Sequence, residues 1–300
     1  MPDGGSAPPR TLGWSLDATA AFFRGHGVDS PRATAEWLAA RLLRCARGEL
    51  AARRESPLPE PLLAAMGRGA RRIAAGEPLQ YVIGQWDFRD LTLRTDRRAL
   101  IPRPETEMLV DLALSSPRLR ALEAPRVVDY GTGSGCIALA LARAWPGARI
   151  VGLDVSEDAL ALARENAEAL GLAGRVAFVN VATTPIDEIF EGGTLDAIVS
   201  NPPYIPAAAV DRLDRKVLDH EPRLALEGGP DGMAVLRQIC EEASMLLAPE
   251  GELYLEVDAE SGQAGPLSEL LRELGIDPVR AHRDLAGRDR FLSASLSLGV

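Results

Sequence analysis

Cysteine and histidine are scarce. The three cysteines, Cys45, Cys136 and Cys240, lie far apart with no CxxC pair, and the chain has only three histidines, so neither a zinc site nor a disulfide framework is expected. The chain reads as a reduced, cytoplasmic protein without a bound metal. The N-terminal MPDGGSAPPR lacks the apolar stretch of a signal peptide, and no later run approaches membrane-spanning length, so no membrane association is expected. No internal repeat is visible. A large basic region is also missing. The net charge is −10, and residues 105–300 set 17 Lys and Arg against 32 Asp and Glu, which argues against stable nucleic-acid binding there. Residues 1–104, with 16 Arg against 11 Asp and Glu, are mildly basic, and two readings stay open: a solvated helix face, or a surface that meets an acidic partner.

What is present is ample core material. A length of 300 residues, 46% of them hydrophobic, predicts one large domain and a smaller one. Residues 1–11 are expected to be a disordered tail. Ser15 is placed to cap SLDATAAFFRGHG. Ser30, with Pro31 at the first helical position, opens SPRATAEWLAARLLRCARG, in which Trp37, Leu38, Arg41, Leu42 and Cys45 fall at helical spacing. A third helix, PEPLLAAMGRGARRIAAG, ends at Gly76. Residues 12–78 therefore read as a helical domain, separate and net basic, expected to recognise a protein substrate. Aromatic and β-branched residues around turns, in YVIGQWDF and LTLRT, predict a hairpin linker over 79–104.

Residues 105–300 alternate strands and helices. RVVDYG, RIVGLDVS, RVAFVNV, LDAIVSN and GELYLEVD are short apolar runs of the kind buried in a parallel sheet, separated by amphipathic segments such as EDALALARENAEALG. The fold class is α/β, a Rossmann-like doubly wound domain. PVRAHRDL and RDRFLSASLS are separated only by AG, too short for a parallel crossover, so they should pair antiparallel at or near a sheet edge.

In such a sheet, ligands bind beyond the carboxyl ends of strands. The loop after the first strand of this region is GTGSG, in which Gly131, Gly133 and Gly135, with Thr132 and Ser134 between them, let the backbone turn tightly before a helix N-terminus. The spacing is G-x-G-x-G rather than G-x-G-x-x-G, and no Lys-Ser/Thr pair follows for a triphosphate. Asp154 ends the next strand, 19 residues after Gly135, where a carboxylate can accept both hydroxyls of a ribose, so the expected cofactor is an adenosine derivative. Asp129 either fixes the turn through backbone N–H groups or also faces a cationic group of the cofactor.

The fourth strand stops at Asn201-Pro202-Pro203-Tyr204. Each proline holds the residue before it extended, and the pair removes two N–H donors. The Asn201 side-chain oxygen and the Pro202 carbonyl can then receive the two N–H bonds of a planar amide or amine, while the Tyr204 ring offers a stacking face. Alone, N-P-P-Y is plain turn chemistry. Its alignment with GTGSG and Asp154 favours a reaction site.

GEPLQYVIG, LIPRPETE, VVDYGTGSG, IVSNPPYI, EPRLALEGGPDG and RDLAGRDR, in that order, resemble signatures of the HemK-type protein-(glutamine-N5) methyltransferases, which methylate the glutamine of the Gly-Gly-Gln motif in peptide chain release factors. The similarity runs from about Gly76 to the end. NPPY is shared with other amino-methyltransferases, whereas LIPRPETE together with a helical N-terminal region is more specific. The resemblance implies S-adenosylmethionine as methyl donor, release factors as partners, Gly131 to Gly135 beside the methionine part, Asp154 on the ribose and Asn201 to Tyr204 around the substrate glutamine. Arg103 and Glu105 would lie near the cofactor and substrate entrance; the alternative is a domain-junction turn. In one departure, Ala182 and Thr183 stand where the family commonly has an Asp followed by an aromatic or apolar residue at the adenine.

An amide nitrogen is a poor nucleophile, and the NPPY loop supplies no His, Cys or carboxylate as base. Positioning must therefore do most of the chemistry, an effect that reaches ~7–11 kcal/mol in favourable systems. Three other readings compete. A nucleic-acid adenine-N6 methyltransferase would use the same acceptors on a flipped base, a ribosomal-protein glutamine methyltransferase would use the same chemistry, and a nucleotide-binding regulatory module would need NPPY to be only a turn.

Overall fold

The computed structural model describes residues 10–297; the tail expected over residues 1–11 lies largely outside them. The chain divides between Gly84 and Gln85 into two compact units.

The first unit is helical. Helix α1 (Leu12–Gly25) is capped by Thr11, whose Oγ1 accepts the Trp14 N–H at 3.2 Å. Ser15, the expected cap, lies inside the helix and is buried. The reason is the apolar stripe: Leu12 and Leu16, one turn apart, are both buried, so the helix must already include Leu12. Helix α2 (Pro31–Leu43) follows Ser30, which takes a left-handed conformation and makes no side-chain cap bond. Arg44 ends it, so Cys45 falls just outside. Helix α3 (Glu60–Ala74) packs closely on α2 at Gly69, where a Cβ would stand 2.8 Å from Leu38 Cδ1. The short α4 (Leu79–Ile83) corrects the expected hairpin: Tyr81, Val82 and Ile83 are helical, closed by Gly84 at φ 71°. Residues with β propensity close a helical turn there because Pro78 starts it and glycine ends it.

The second unit opens with the hairpin β1 (Gln85–Phe88) and β2 (Leu91–Arg94), paired with Trp86 opposite Leu93. Helices α5 (Pro104–Ser115) and α6 (Pro117–Ala121) precede the main sheet. Its elements in chain order are β3 (Arg126–Tyr130), α7 (Cys136–Ala144), β4 (Arg149–Asp154), α8 (Glu157–Ala169), β5 (Val176–Asn180), α9 (Ile186–Ile189) and β6 (Leu195–Ser200). Two short helices, α10 (Ala207–Val210) and α11 (Arg215–Leu218), come next, followed by α12 (Ala234–Leu246), β7 (Leu247–Glu256), α13 (Ala264–Glu273), β8 (Arg280–Arg283) and β9 (Asp289–Ser295). The strand order is β5-β4-β3-β6-β7-β9-β8. The first five strands are parallel, while β9 and β8 add antiparallel with β8 at the edge, as their short connection requires.

Both faces of the sheet are covered. Neighbouring residues on one strand serve opposite layers: Val127 packs with α5 and α7 through Leu109 and Leu139, and Val128 packs with α12 through Leu236 and Ile239. That is why the strands read as continuous apolar runs. The chain winds outward from β3 through β4 and β5, then returns to its other side at β6. The switch point therefore falls between β3 and β6, where the crevice of an open α/β sheet lies.

Candidate functional site

The turn after β3 depends on glycine. Gly131, Gly133 and Gly135 all have positive φ, at 74°, 55° and 82°. At Gly135 a Cβ would also press on Leu139 and Ala163 at 3.1 and 3.2 Å, so its absence seats α7 against α8. Thr132 ties the turn to the neighbouring strand through its N–H to Leu153 O at 2.8 Å.

Asp129 is fully buried, and its Oδ2 accepts the Thr132 hydroxyl at 2.6 Å and the Ala138 N–H at 3.0 Å. These bonds tie the turn to the start of α7, which fits the turn-fixing alternative for Asp129 and leaves the cofactor-facing one open. Its Oδ1 has no partner among the described residues. Burial pushes the carboxyl up to about 7. Asp154, at the end of β4, accepts Gly133 N–H on Oδ2 and Ser156 N–H on Oδ1, each at 2.9 Å. Each of those oxygens keeps a further lone pair for a ligand. Burial raises this carboxyl too.

Gly131, Thr132, Gly133, Ser134, Asp154 and Asn201 line one cavity of about 320 Å³. Asp129 and Gly135 are not among its lining residues; Asp129 instead holds Thr132 and the start of α7. The wall after β5 is formed by Val181 and Ile186. Ala182 and Thr183 are exposed and cap the strand end, the Ala182 N–H reaching Asn180 Oδ1 at 2.9 Å and the Thr183 hydroxyl Asn180 O at 3.2 Å.

The loop after β6 is pinned on all sides. Ser200 Oγ donates to Tyr130 O at 2.6 Å. Asn201 Nδ2 donates to Thr106 Oγ1 at 2.9 Å, and Thr106 donates to Glu256 Oε2 at 2.8 Å. Arg290 Nη2 reaches both Glu256 Oε1 and the Tyr204 hydroxyl at 2.9 Å. Burial raises the Glu256 carboxyl, against the pull of Arg290, Thr106 and Tyr204. It also raises the Tyr204 phenol, which keeps its proton and can donate to Glu256 Oε1 at 3.3 Å.

Tyr204 does not face the cavity of the glycine turn. It lines an adjoining cavity with Glu105 and Arg290, and its ring lies 5.6 Å from the Arg290 guanidinium carbon. Asn201, Pro202 and Arg103 line both cavities. Arg103 is held by Glu221, which is buried and spans from Arg103 Nη2 at 2.6 Å to the Ile101 N–H at 3.2 Å.

A second layer holds NPPY from outside. Ile205 and Gly228 bond through their backbones, and Gln263 Nε2 donates to Tyr204 O at 2.8 Å. Gly228 lies so close that a Cβ there would stand 2.6 Å from Pro203 O. Among the described residues, no cluster of His, Cys, Asp or Glu forms a metal site, and no helix is long and apolar enough to cross a membrane.

Thr106, Glu221, Glu256 and Arg290 escaped the reading of single residues, although LIPRPETE, EPRLALEGGPDG and RDLAGRDR contain three of them. The available signal was Glu256 itself, a carboxylate closing the apolar run LYLE. Buried charge requires partners.

Comparison with known proteins gives two family matches, the PrmC N-terminal domain over residues 15–84 and a methyltransferase domain over residues 123–273. The chain is 40% identical to the release factor glutamine methyltransferase of Moorella thermoacetica, over 95% of this chain and 98% of that one. It is 39% identical to the protein of the same name from Chlorobaculum tepidum, with the same coverage. A solved methyltransferase from Pyrococcus furiosus matches with a TM-score of 0.52 at 20% identity, covering 70% of this chain and 91% of that one, a likeness of fold.

Proposed function

This chain belongs to the release factor glutamine methyltransferase family, and from that membership we infer that it methylates the side-chain amide nitrogen of the Gly-Gly-Gln glutamine in peptide chain release factors. The methyl donor is S-adenosylmethionine, which supplies an electrophilic methyl group on a sulfonium. The observation that carries the reading of the site is that Asn201 and Pro202 stand between two adjoining cavities. The one bounded by the glycine turn would hold the cofactor, and the one bounded by Tyr204 and Glu105 would admit the glutamine.

The residues present suit such a cofactor. The positive-φ turn leaves backbone open to a ligand, Asp154 has spare acceptor capacity for ribose hydroxyls, and Asp129 keeps one buried oxygen unpartnered behind the turn. On the substrate side, Asn201 Oδ1 and the Pro202 carbonyl accept the two amide N–H bonds. Asn201 is fixed by Thr106 and Pro202 by its ring, so neither acceptor must be ordered at the moment of reaction. The nearest carboxylate, Glu256, is committed to Arg290, Thr106 and Tyr204. No base is needed before transfer. The amide proton leaves after the nitrogen has become cationic and acidic.

The test is labelled S-adenosylmethionine with purified release factors, intact and with the motif glutamine replaced. Label should enter the intact factor and be absent from the replaced one. Label in ribosomal protein or nucleic acid instead would overturn the assignment.

A further inference from the structure

Glu256 ends β7 with no exposed surface, yet three donors converge on it: Arg290 at 2.9 Å, Thr106 at 2.8 Å and the Tyr204 hydroxyl at 3.3 Å. They come from the first turn of α5, the loop after β6 and the start of β9. The direction of each bond fixes the next. Paired with the Arg290 guanidinium as a carboxylate, Glu256 can only accept, on Oε1 from Arg290 and on Oε2 from Thr106; Thr106 thereby spends its one hydroxyl proton, so its lone pair is what meets Asn201. Asn201 must then present Nδ2 to Thr106, as it does at 2.9 Å, which leaves Oδ1 without a protein donor among the described residues.

An unconstrained carboxamide can rotate to exchange its oxygen and its NH2. The wrong orientation would set the Asn201 NH2 against the NH2 of the substrate, donor against donor. We propose that the Arg290–Glu256–Thr106 chain locks Asn201 in its acceptor orientation, making Thr106 and Glu256 positioning residues for methyl transfer. The proposal rests on Asn201 accepting the glutamine N–H. It differs from a purely structural reading, in which Thr106 only satisfies the buried carboxylate and affects stability without acting through Asn201.

Thr106→Val keeps the shape and removes the hydroxyl, whereas Thr106→Ser keeps the hydroxyl. In single turnover with saturating cofactor, Thr106→Val should lose about tenfold or more in rate while its cofactor affinity stays near wild type. Thr106→Ser should stay close to the wild-type rate. The deciding arm is a double-mutant cycle: if Thr106 acts through Asn201, Asn201→Ala with Thr106→Val should be no slower than Asn201→Ala alone. Multiplying losses, or a Thr106→Val enzyme at full rate, would overturn the inference. Should Thr106→Val fail to fold, the wild-type protein still answers. Its Asn201 side-chain NH2 resonance, assigned by its absence in Asn201→Ala, should show one slowly exchanging proton, and fast exchange of both overturns the lock. A fully active Asn201→Ala would instead defeat the glutamine-site reading itself, a distinguishable failure.

Discussion

Asn201 separates a reaction site from a turn. Asn201→Ala removes one acceptor while Pro202 and Pro203 keep the loop extended, so the fold should survive and cofactor binding should weaken only modestly. Asn201→Asp keeps an acceptor oxygen in nearly the same volume but faces Thr106 with a second carboxylate beside Glu256. Single-turnover rates should therefore fall in the order wild type, Asp, Ala, with Ala close to inactive and folding checked by circular dichroism. An Ala variant near the wild-type rate would leave NPPY a structural turn. Asp129 gives a test through stability. Its carboxyl is raised to about 7, with burial the leading cause, whereas an unfolded chain holds aspartate near its ordinary 3.8. Between those values the folded state retains a proton that the unfolded state has lost. The stability it confers is thus complete below pH ~4 and lost as pH rises through ~7, on the order of a few kcal/mol. Asp129→Asn cannot titrate, so urea midpoints without cofactor should fall less between pH 5 and pH 8 than in the wild type. Equal slopes would mean that Asp129 titrates normally.

The NPPY loop is held as an element by the segment that includes Glu227, Gly228 and Gly232. At Gly228 a Cβ would stand 2.6 Å from both Pro203 O and Gly232 O, backbone atoms that move only if the loop moves. Gly228→Ala should cost about 1–3 kcal/mol by overpacking and should lower the transfer rate as well, because the displaced oxygen lies in the peptide joining Pro203 to Tyr204, within the NPPY loop. Thermal unfolding together with single-turnover rates would check both, and a destabilised variant with unchanged rate would show that this segment does not position the loop. The same elements show what a sequence discloses. Five parallel strands were legible because burial on both faces makes each an unbroken apolar run, and the terminal pair because its connection is too short to cross over. The start of α1 was misplaced since Thr11 and Ser15 are both able to cap, and only packing of Leu12 decides between them. Tyr81 to Ile83 looked extended because their β propensity is local, while the turn they close is set by Pro78 and Gly84. At the site, the glycines, Asp154 and Asn201 were legible by their place at strand ends. Thr106 and Glu256 were not, since 150 residues separate them and the hydrogen bond exists only in the fold. Tyr204 was assigned a stacking role on the same local grounds, and its place beside Arg290 required the fold as well.

On the scale of the whole chain, charge and chemistry are segregated. Residues 1–84 carry 11 Arg against 8 Asp and Glu, while residues 85–300 carry 22 Lys and Arg against 35 Asp and Glu. The cofactor-side cavity is lined entirely by residues from Arg98 onward, and the adjoining cavity by residues from Leu100 onward, so both belong to the second unit alone. Methyl transfer therefore makes no demand on the helical unit that the site itself can explain. For substrate recognition we propose such a demand: a separate, mildly basic unit can attract an acidic surface on a partner, which the acidic catalytic unit cannot. The helical unit is accordingly proposed to recognise the release factor. A chain lacking residues 1–84 should bind S-adenosylmethionine with affinity close to that of the full chain by calorimetry. Its kcat/KM on an intact release factor should fall by two orders of magnitude or more, on the order of 3 kcal/mol. The loss should be far smaller on a short peptide carrying the Gly-Gly-Gln motif, because a peptide that reaches only the NPPY loop has no contact to forfeit. Equal losses on protein and peptide would instead mean that the helical unit supports the catalytic unit, and undiminished kinetics on the intact factor would remove recognition from it altogether.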